Sequence, residues 1–164
     1  MIADAQRMIE LPLSSFHDCE TTGSLLDYSS GADSLPDFTG HQTDGAGYEI
    51  EFDATGGSPD QDAEICAQFL KPVDYVSGGN ILVLAAKPTD SGASESVRVM
   101  IAADGNAPGT PSSISVGSGL TEYGFGKTFP AGSVITLALS VTSSSTMNDP
   151  VRLHAVGVQY TARQ

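Results

Sequence analysis

The sequence has no tryptophan and few basic residues, and both shortages restrict its function. Seven Lys and Arg residues stand against 20 Asp and Glu residues, which gives a formal net charge of -13. Nonspecific binding to nucleic acid depends on cations that neutralise phosphates, so we expect no nucleic-acid partner. Tryptophan is the side chain that stacks best on the faces of sugars, so any sugar contact must use other residues.

Long apolar runs and cysteine-rich patterns are also missing. No apolar run approaches the roughly 20 residues that a membrane-spanning helix needs, and we expect no membrane partner. The first residues show neither the basic nor the apolar part of a secretory signal. Two cysteines, Cys19 and Cys66, are too few for a disulfide framework. We expect them to be free, partly buried thiols, as suits assembly in a reducing cytoplasm.

Apolar alternation in the middle of the chain indicates β-structure. Ile65, Ala67 and Phe69 alternate with polar residues, which is typical of a half-buried strand, and 81–86 is a continuous apolar run. Between these segments, Pro72 interrupts strand pairing and the glycines at 78–79 favour a turn. The pattern predicts two neighbouring, paired strands joined by a compact loop.

The other segments with strand character complete an all-β domain. They lie at 8–13, 24–28, 48–52, 97–101, 113–116, 120–125, 133–141 and 151–161. In the last of these the apolar residues change parity, which predicts a bulge near 155–157. A chain of 164 residues fits one domain. We predict an antiparallel β-sandwich of about eight strands, a jelly roll first and an immunoglobulin-like sandwich second.

The predicted domain has two parts. Residues 1–13 form an N-terminal arm and the first strand, and residues 14–164 form the sandwich, with a long loop at 14–47. The segment 48–52 is expected to have one dry face and one acidic, solvated face. No internal repeat is visible, which argues against a propeller or a solenoid.

Reactive side chains are scattered rather than grouped. His17, Asp18 and Cys19 are adjacent, but neighbours on an extended chain point in different directions and cannot form a relay. His41 and His154 stand alone, without the clustered ligands of a metal site. Because no acid, base or nucleophile forms a pair in the sequence, we expect no enzyme, no metal and no cofactor.

Two weaker candidates for binding remain. Asp60, Asp62 and Glu64 could offer oxygen ligands to calcium, but the spacing of an EF-hand is absent and a solvated acidic loop is the favoured explanation. Tyr75 and Tyr123 are the best candidates for an exposed aromatic contact, with packing in the core or a loop as the alternative.

Several segments together resemble the jelly-roll decoration, or cement, proteins of tailed-bacteriophage capsids. They are 71–79 followed by an apolar strand, the turn 130–133 opening a Val/Ile/Leu strand, and the closing residues Val156, Val158 and Tyr160. The resemblance covers residues 45–164 and is one of strands and turns.

This resemblance implies a noncatalytic virion protein, located on the capsid exterior after assembly in the host cytoplasm. The implied partners are the major capsid protein and two further copies in a homotrimer. Expected capsid contacts are Ile2, Arg7, Met8, Leu25 and Leu26. Expected subunit-interface residues are Arg152, His154 and Thr136. The alternative function is a carbohydrate- or receptor-binding module of a phage fibre or tail.

Overall fold

The computed structural model describes residues 4–19, 36–41, 47–54, 63–89, 91–92, 94–103, 109–129, 134–143 and 147–163. In these ranges the chain forms eleven β-strands and one short 3₁₀ turn, without an α-helix. A helix long and apolar enough to cross a membrane is likewise absent from the described ranges.

The strands follow one another closely along the chain. They are β1 (Ala5–Leu11), β2 (His17–Asp18), β3 (Asp37–His41), β4 (Gly47–Phe52), β5 (Glu64–Leu70), β6 (Tyr75–Ala86), β7 (Glu95–Ala103), β8 (Ser112–Ser115), β9 (Thr121–Gly126), β10 (Val134–Ser143) and β11 (Val151–Ala162). The 3₁₀ turn is Leu13–Ser15.

Two antiparallel sheets pack face to face. The six-stranded sheet has the order β3-β4-β11-β6-β9, with β1 pairing to the free half of β11, and the five-stranded sheet has the order β2-β5-β10-β7-β8. From β4 onward the chain crosses repeatedly between the sheets, so that β4-β11-β6-β9 faces β5-β10-β7-β8. That is the strand order of a jelly roll, and the predicted all-β sandwich is confirmed.

The core lies between the sheets and is built from one side of each strand. Alternate residues of β6 are buried, including Ile81, Val83 and Ala85, whereas Leu82 and Leu84 are only half-buried on the outer side. The largest fully buried apolar side chains are Phe16, Phe52, Phe125, Ile50, Ile65, Ile81, Ile135, Leu137, Leu139, Met147 and Leu153. Both sheets therefore show the period-two burial that the sequence predicts.

The bulge predicted in the last strand is present. Pairing of β11 with β6 shifts register between Leu153 and Ala155. Val151 and Leu153 are buried before the shift, and Val156 and Val158 are buried after it. The extra residue lets both apolar sets reach the same core although they differ in parity.

The prediction that 65–69 and 81–86 are neighbouring strands is wrong. They lie in β5 and β6, which belong to different sheets. The turn at Pro72 crosses from one layer to the other, and the Tyr75 amide donates to the Pro72 carbonyl oxygen over 3.1 Å. Gly78 has a φ of +68°, but it lies inside β6, at an irregularity in the pairing with β11, and not in the turn.

The prediction of an acidic, solvated face on β4 is also wrong in part. Glu51 is half-buried, but Glu49 is only 2% exposed, among the charged residues described below. The predicted strand at 24–28 lies outside the described residues. In the predicted loop 14–47, the described residues include two strands, β2 and β3.

Cys19 and Cys66 are not free thiols, as was expected, but form a disulfide with a Cα–Cα distance of 5.1 Å. Strand β2 pairs with β5, and this pairing brings Cys19 next to Cys66. Cys66 is buried with Met100 and Ala138 on the outer side of the five-stranded sheet. The sequence separation of 47 residues gave no indication of this proximity.

Three buried charged residues join the loops at one end of the sandwich. The Lys87 ammonium lies 3.0 Å from Glu95 Oε2 and 3.7 Å from Asp149 Oδ2. All three residues are at most 3% exposed. Asp149 also accepts hydrogen bonds from the Ser91 amide and hydroxyl and from the Thr89 hydroxyl. This buried ionic network ties the β6–β7 loop to the residues just before β11.

The surroundings of Asp149 favour its ionised form. Burial alone would raise the pKa of this carboxyl, but hydrogen bonds from Ser91 and Thr89 and the charge of Lys87 outweigh it, and the pKa lies below its ordinary value of 3.8. The ionised carboxylate therefore stabilises the fold above pH 3.8. That stabilisation is lost as the pH falls through this value toward the lower folded-state pKa.

Removal of the disulfide should destabilise the protein. We expect the double variant Cys19→Ala/Cys66→Ala to lose about 4 kcal/mol of unfolding free energy, because a loop of this length is no longer closed in the unfolded chain. Urea unfolding measures the difference. The double variant should match the reduced wild-type protein within about 1 kcal/mol, since both lack the cross-link. Equal stability of oxidised and reduced wild type would contradict the disulfide.

Substitution of Asp149 should weaken the fold most near neutral pH. We expect Asp149→Asn to cost about 3 kcal/mol, because it breaks a buried ion pair and turns an amide group toward hydrogen-bond donors. The difference from wild type should shrink as the pH falls below about 4. Urea unfolding at several pH values tests this. Glu122→Gln removes one exposed carboxylate and should leave stability within about 0.5 kcal/mol of wild type.

Candidate functional site

Within the described residues, three depressions follow the β6–β11 pair on the outer face of the six-stranded sheet. One is lined by residues near Asn80 and Gln159, the second by residues near Leu84 and Gly157, and the third by residues near Ala86 and Arg152. At roughly 3.3 Å per residue, the strand segments beneath them extend for about 25 Å. The depressions thus follow one line across the face.

The third depression is the largest of these three and is called the cleft here. Its volume is about 400 Å³, and its lining residues are Ala86, Lys87, Pro88, Ser118, Leu120, Arg152 and His154. Arg152 lies opposite Ala86 in the ladder between β11 and β6. Leu120 comes just before β9 and is 56% exposed. One wall is therefore strand, and the other is the loop between β8 and β9.

A group of charged side chains forms the polar wall of the cleft. Arg152 Nε is 3.4 Å from Glu49 Oε1 and also pairs with Glu51. His154 Nδ1 is 3.6 Å from the other carboxylate oxygen of Glu49. Because Glu49 is buried and contacts both residues, it fixes the positions of Arg152 and His154 at the edge of the cleft.

The position of this wall follows from the bulge in β11. Residues Arg152 and His154 alternate with the buried Val151 and Leu153, so both face outward. The register shift comes directly after Leu153, and Ala155 is half-buried as well. Arg152 and His154 thus face the cleft, and Ala155 faces the neighbouring depression.

The buried ionic network holds the other wall. Lys87 follows β6 directly, and its amide donates to the Gly117 carbonyl oxygen over 3.1 Å. The Val116 amide donates to the Glu95 carbonyl oxygen over 2.9 Å. These bonds connect the end of β6 and the start of β7 to the loop that carries Ser118.

The cleft combines hydrogen-bonding groups with small apolar surfaces. A guanidinium donates, an imidazole and a hydroxyl can donate or accept, and carboxylates accept. Pro88 and Leu120 present apolar surface beside them. A ligand with many hydroxyl groups and some C–H surface suits this arrangement.

The predicted subunit-interface residues do not form one surface. Arg152 and His154 lie on the outer face of the six-stranded sheet, next to each other as expected. Thr136 lies in β10 of the five-stranded sheet, where its hydroxyl accepts a 3.4 Å hydrogen bond from Gln68. The two parts of the predicted set are on opposite faces of the sandwich.

The predicted capsid-contact residues fall partly outside the described chain. Arg7 and Met8 belong to β1, which pairs with β11 along its whole length. Arg7 forms an ion pair with Asp74, and Met8 is 63% exposed. The remaining members of that set, Ile2, Leu25 and Leu26, lie outside the described residues.

The calcium candidate can be described only in part. Glu64 begins β5 and is half-buried, whereas Asp60 and Asp62 lie outside the described residues. Within the described ranges, His, Cys, Asp and Glu side chains do not form a group of three that could hold a metal ion.

The other singled-out residues have structural contacts. His17 and Asp18 form β2, and His17 Nδ1 is 3.4 Å from the Ser15 carbonyl oxygen. Tyr75 packs against Phe129, with ring centroids 5.1 Å apart. The Tyr123 hydroxyl accepts a 2.9 Å hydrogen bond from the Gly117 amide. Both tyrosines also contact the core, in accordance with the packing alternative. His41 lies in β3, and its side chain is not described.

The other residues at this end of the sandwich carry no signal in the sequence. Lys87, Glu95 and Asp149 are far apart in the chain, and no motif joins them. Ser118 and Leu120 lie in a Gly-rich loop whose composition resembles that of any turn. Only the outward parity of Arg152 and His154 could have been predicted.

Comparison with known proteins shows that the chain shares its fold with several solved structures. Neither a protein-family model nor a curated protein matches the chain. Among solved structures, it is similar to the CBM36-1 domain of a multidomain xylanase from the hindgut metagenome of Trinervitermes trinervoides. That match has a TM-score of 0.55 and 11% identity, and it covers 98% of this chain and 100% of that one.

Two further structures share the architecture. The K3 cleaved adhesin domain of Lys-gingipain from Porphyromonas gingivalis has a TM-score of 0.56 and 15% identity, covering 94% of this chain and 99% of that one. The CBM22-1–GH10 modules of a Clostridium thermocellum xylanase, complexed with xylohexaose, have a TM-score of 0.50 and 11% identity, covering 100% of this chain and 29% of that one. The chain is thus an antiparallel β-sandwich of the kind found in carbohydrate-binding modules.

Proposed function

We propose that the protein is a noncatalytic carbohydrate-binding module whose ligand occupies the cleft beside Arg152 and His154. The cleft itself is the observation that carries this proposal. It is a preformed depression of about 400 Å³ where a guanidinium, an imidazole and a hydroxyl lie beside apolar surface. Hydroxyl-rich ligands need such a mixture of donors, acceptors and apolar contacts.

The likeness of fold gives independent support. A carbohydrate-binding module from a xylanase aligns with nearly the whole chain, although only 11% of the residues are identical. Since one fold can serve many functions, the fold raises the expectation of sugar binding without supplying the ligand-binding residues. Those residues have to come from the site of this chain.

The cleft would recognise its ligand mainly by hydrogen bonds. Tryptophan is absent from the chain, and the described residues that line the cleft include neither Phe nor Tyr. Arg152 is held in place by Glu49 and Glu51 before a ligand arrives. Preorganisation of this kind lowers the entropic cost of binding.

The capsid-decoration role stays a prediction. The solved structures described above favour the carbohydrate-binding alternative over it, because they are carbohydrate-binding modules and an adhesin domain. The fibre or tail location of the carbohydrate-binding alternative stays a prediction as well, as do the capsid partner, the homotrimer and the virion location.

The disulfide supports action in an oxidising environment. Disulfides persist outside reducing compartments, and Cys19–Cys66 joins two segments of the sandwich. A protein that meets carbohydrate polymers or cell-surface glycans would work in such surroundings. We therefore include in the proposal that the module acts outside reducing compartments.

Glycan binding should depend on the cleft. We expect an array of neutral and charged glycans to identify a ligand, and Leu120→Asp to weaken its binding roughly tenfold or more, because a charge replaces apolar surface at the rim. Isothermal titration calorimetry with the best glycan measures the change. Arg152→Lys keeps the charge and should also weaken binding, because the planar fork of donors is lost.

A charge-matched control separates the cleft from the rest of the surface. Ser113→Asp adds the same charge to an exposed position on the five-stranded sheet, and its affinity should equal that of wild type. Binding that survives Leu120→Asp but fails in Ser113→Asp would move the site to the other face. If no glycan binds at all, the proposed function is wrong.

A further inference from the structure

The turn between β5 and β6 carries exposed apolar side chains. Leu70 is 72% exposed, Val73 is fully exposed and Val76 is 38% exposed. Apart from these three, the large apolar side chains with comparable exposure in the described chain are Met8, Tyr48 and Leu120. Three such residues lie within seven positions, at the crossing from one sheet to the other, and this segment is called the 70–76 tip here. Exposed apolar groups that cluster in this way are a mark of contact surfaces.

Several bonds to Asp74 hold the tip in shape. The Asp74 carboxylate accepts a hydrogen bond from the Tyr160 hydroxyl over 3.2 Å and pairs with Arg7 at 2.9 Å. The Arg163 amide donates to the Asp74 carbonyl oxygen over 2.8 Å. Val73 is therefore exposed in a turn whose next residue, Asp74, is bonded to β1 and to the end of β11.

The tip is locally basic in an acidic protein. Lys71 lies in it, Arg7 pairs with its one carboxylate, Asp74, and Arg163 is bound to it through the backbone amide. These are three of only seven Lys and Arg residues, so basic residues outnumber acidic ones here. The Lys71 ammonium lies 4.7 Å from the centre of the Tyr75 ring. The chain as a whole has a formal charge of -13. An occupant matched to this tip should be apolar at its centre and acidic at its margins.

The middle depression of the six-stranded sheet has that character. It measures about 130 Å³ and is lined by Met8, Glu10, Leu82, Leu84, Glu122, Ala155, Val156 and Gly157. Leu82 and Leu84 lie near its centre on β6. Glu10 on β1 and Glu122 on β9 lie on opposite sides of it, because β11 and β6 run between those strands. Both carboxylates belong to exposed residues.

A glycine makes the depression possible. A Cβ atom at Gly157 would lie 3.4 Å from Met8 Sδ, so a side chain there would fill the space. An apolar cavity of roughly 150 Å³ can hold a ring as large as benzene, so this depression has room for the side chain of a valine. It is called the apolar groove here, and it is separate from the cleft beside Arg152.

We propose that the 70–76 tip of one copy docks into the apolar groove of a second copy. Val73 would enter between Leu82 and Leu84, with Lys71 and Arg163 of one copy near Glu10 and Glu122 of the other. Tip and groove are different surfaces, so the contact is head-to-tail. Repetition of such a contact gives a closed ring where the rotation closes and a filament where it does not.

A second copy fits the tip better than a lipid surface does. The chain itself supplies an apolar groove with acidic margins, which complements the tip in both respects. The net charge of -13 opposes contact with an anionic membrane and with a second copy alike, so it is the match between tip and groove that favours the second copy. Lipid binding is therefore the competing outcome in the experiment.

Two variants that block opposite halves of the contact test the proposal. Val73→Asp disables the tip and Leu84→Asp disables the groove, and each should weaken self-association roughly tenfold or more in sedimentation velocity. Each variant must first show cooperative unfolding like that of wild type. Ser113→Asp adds the same charge elsewhere and should associate as wild type does. Glycan binding is not needed for any of these readouts.

Mixing the two blocked variants gives the decisive result. Val73→Asp still has an intact groove and Leu84→Asp an intact tip, so the mixture should form a one-to-one dimer that grows no further. A monomeric wild type, or a mixture that stays monomeric, would overturn the proposal. So would Val73-dependent binding of monomeric wild type to phosphatidylserine vesicles, which would assign the tip to a lipid surface.

Discussion

The ladder between β6 and β11 runs through the middle of the six-stranded sheet, and both surfaces of that sheet take their form from it. Its inner side supplies Ile81, Val83 and Leu153 to the core. Its outer side carries three depressions in a row. The register shift after Leu153 makes both possible, because it keeps apolar residues inward while Arg152 and His154 face out. A strand without the shift would turn one of the two apolar sets toward solvent.

Charged residues then fix the ends of the loops around the cleft. Lys87, Glu95 and Asp149 are buried together, and Glu49 is buried beside Arg152 and His154. Burying charges costs desolvation energy, and only close pairing and hydrogen bonds offset it. Such pairs add little net stability, but they tolerate few alternative geometries. In this protein, the close pairing holds the walls of the cleft in fixed positions.

The alternation of apolar residues was enough to predict most strands, the jelly-roll architecture and the bulge in the last strand. It could not predict which strands pair or which distant side chains meet. Alternation reveals which face of a strand is buried but not the sheet to which it belongs, so β5 and β6 were wrongly paired. The disulfide and the buried ionic network depend on residues that meet only after folding. Neither Cys19 nor Asp149 carries a local pattern that points to its neighbour.

The functional prediction had a different weakness. The resemblance to decoration proteins rested on strands and turns, which a jelly roll shares with proteins of many functions. The predicted interface set combines Arg152 and His154 with Thr136, which lies on the opposite sheet. Only the folded structure shows that Arg152 and His154 line a cleft and that Thr136 does not. The predicted capsid contacts Arg7 and Met8 lie in β1, which is paired with β11 as part of the six-stranded sheet.

The proposed binding site is tested most directly by finding where a glycan contacts the protein. The most direct measurement is an NMR titration of the ¹⁵N-labelled protein with a glycan that binds it. We expect the largest shift changes at the backbone amides of Ser118, Leu120 and His154 and at the Arg152 side chain, with little change on the five-stranded sheet. Shift changes concentrated away from the cleft, at any other loop or face, would contradict the account.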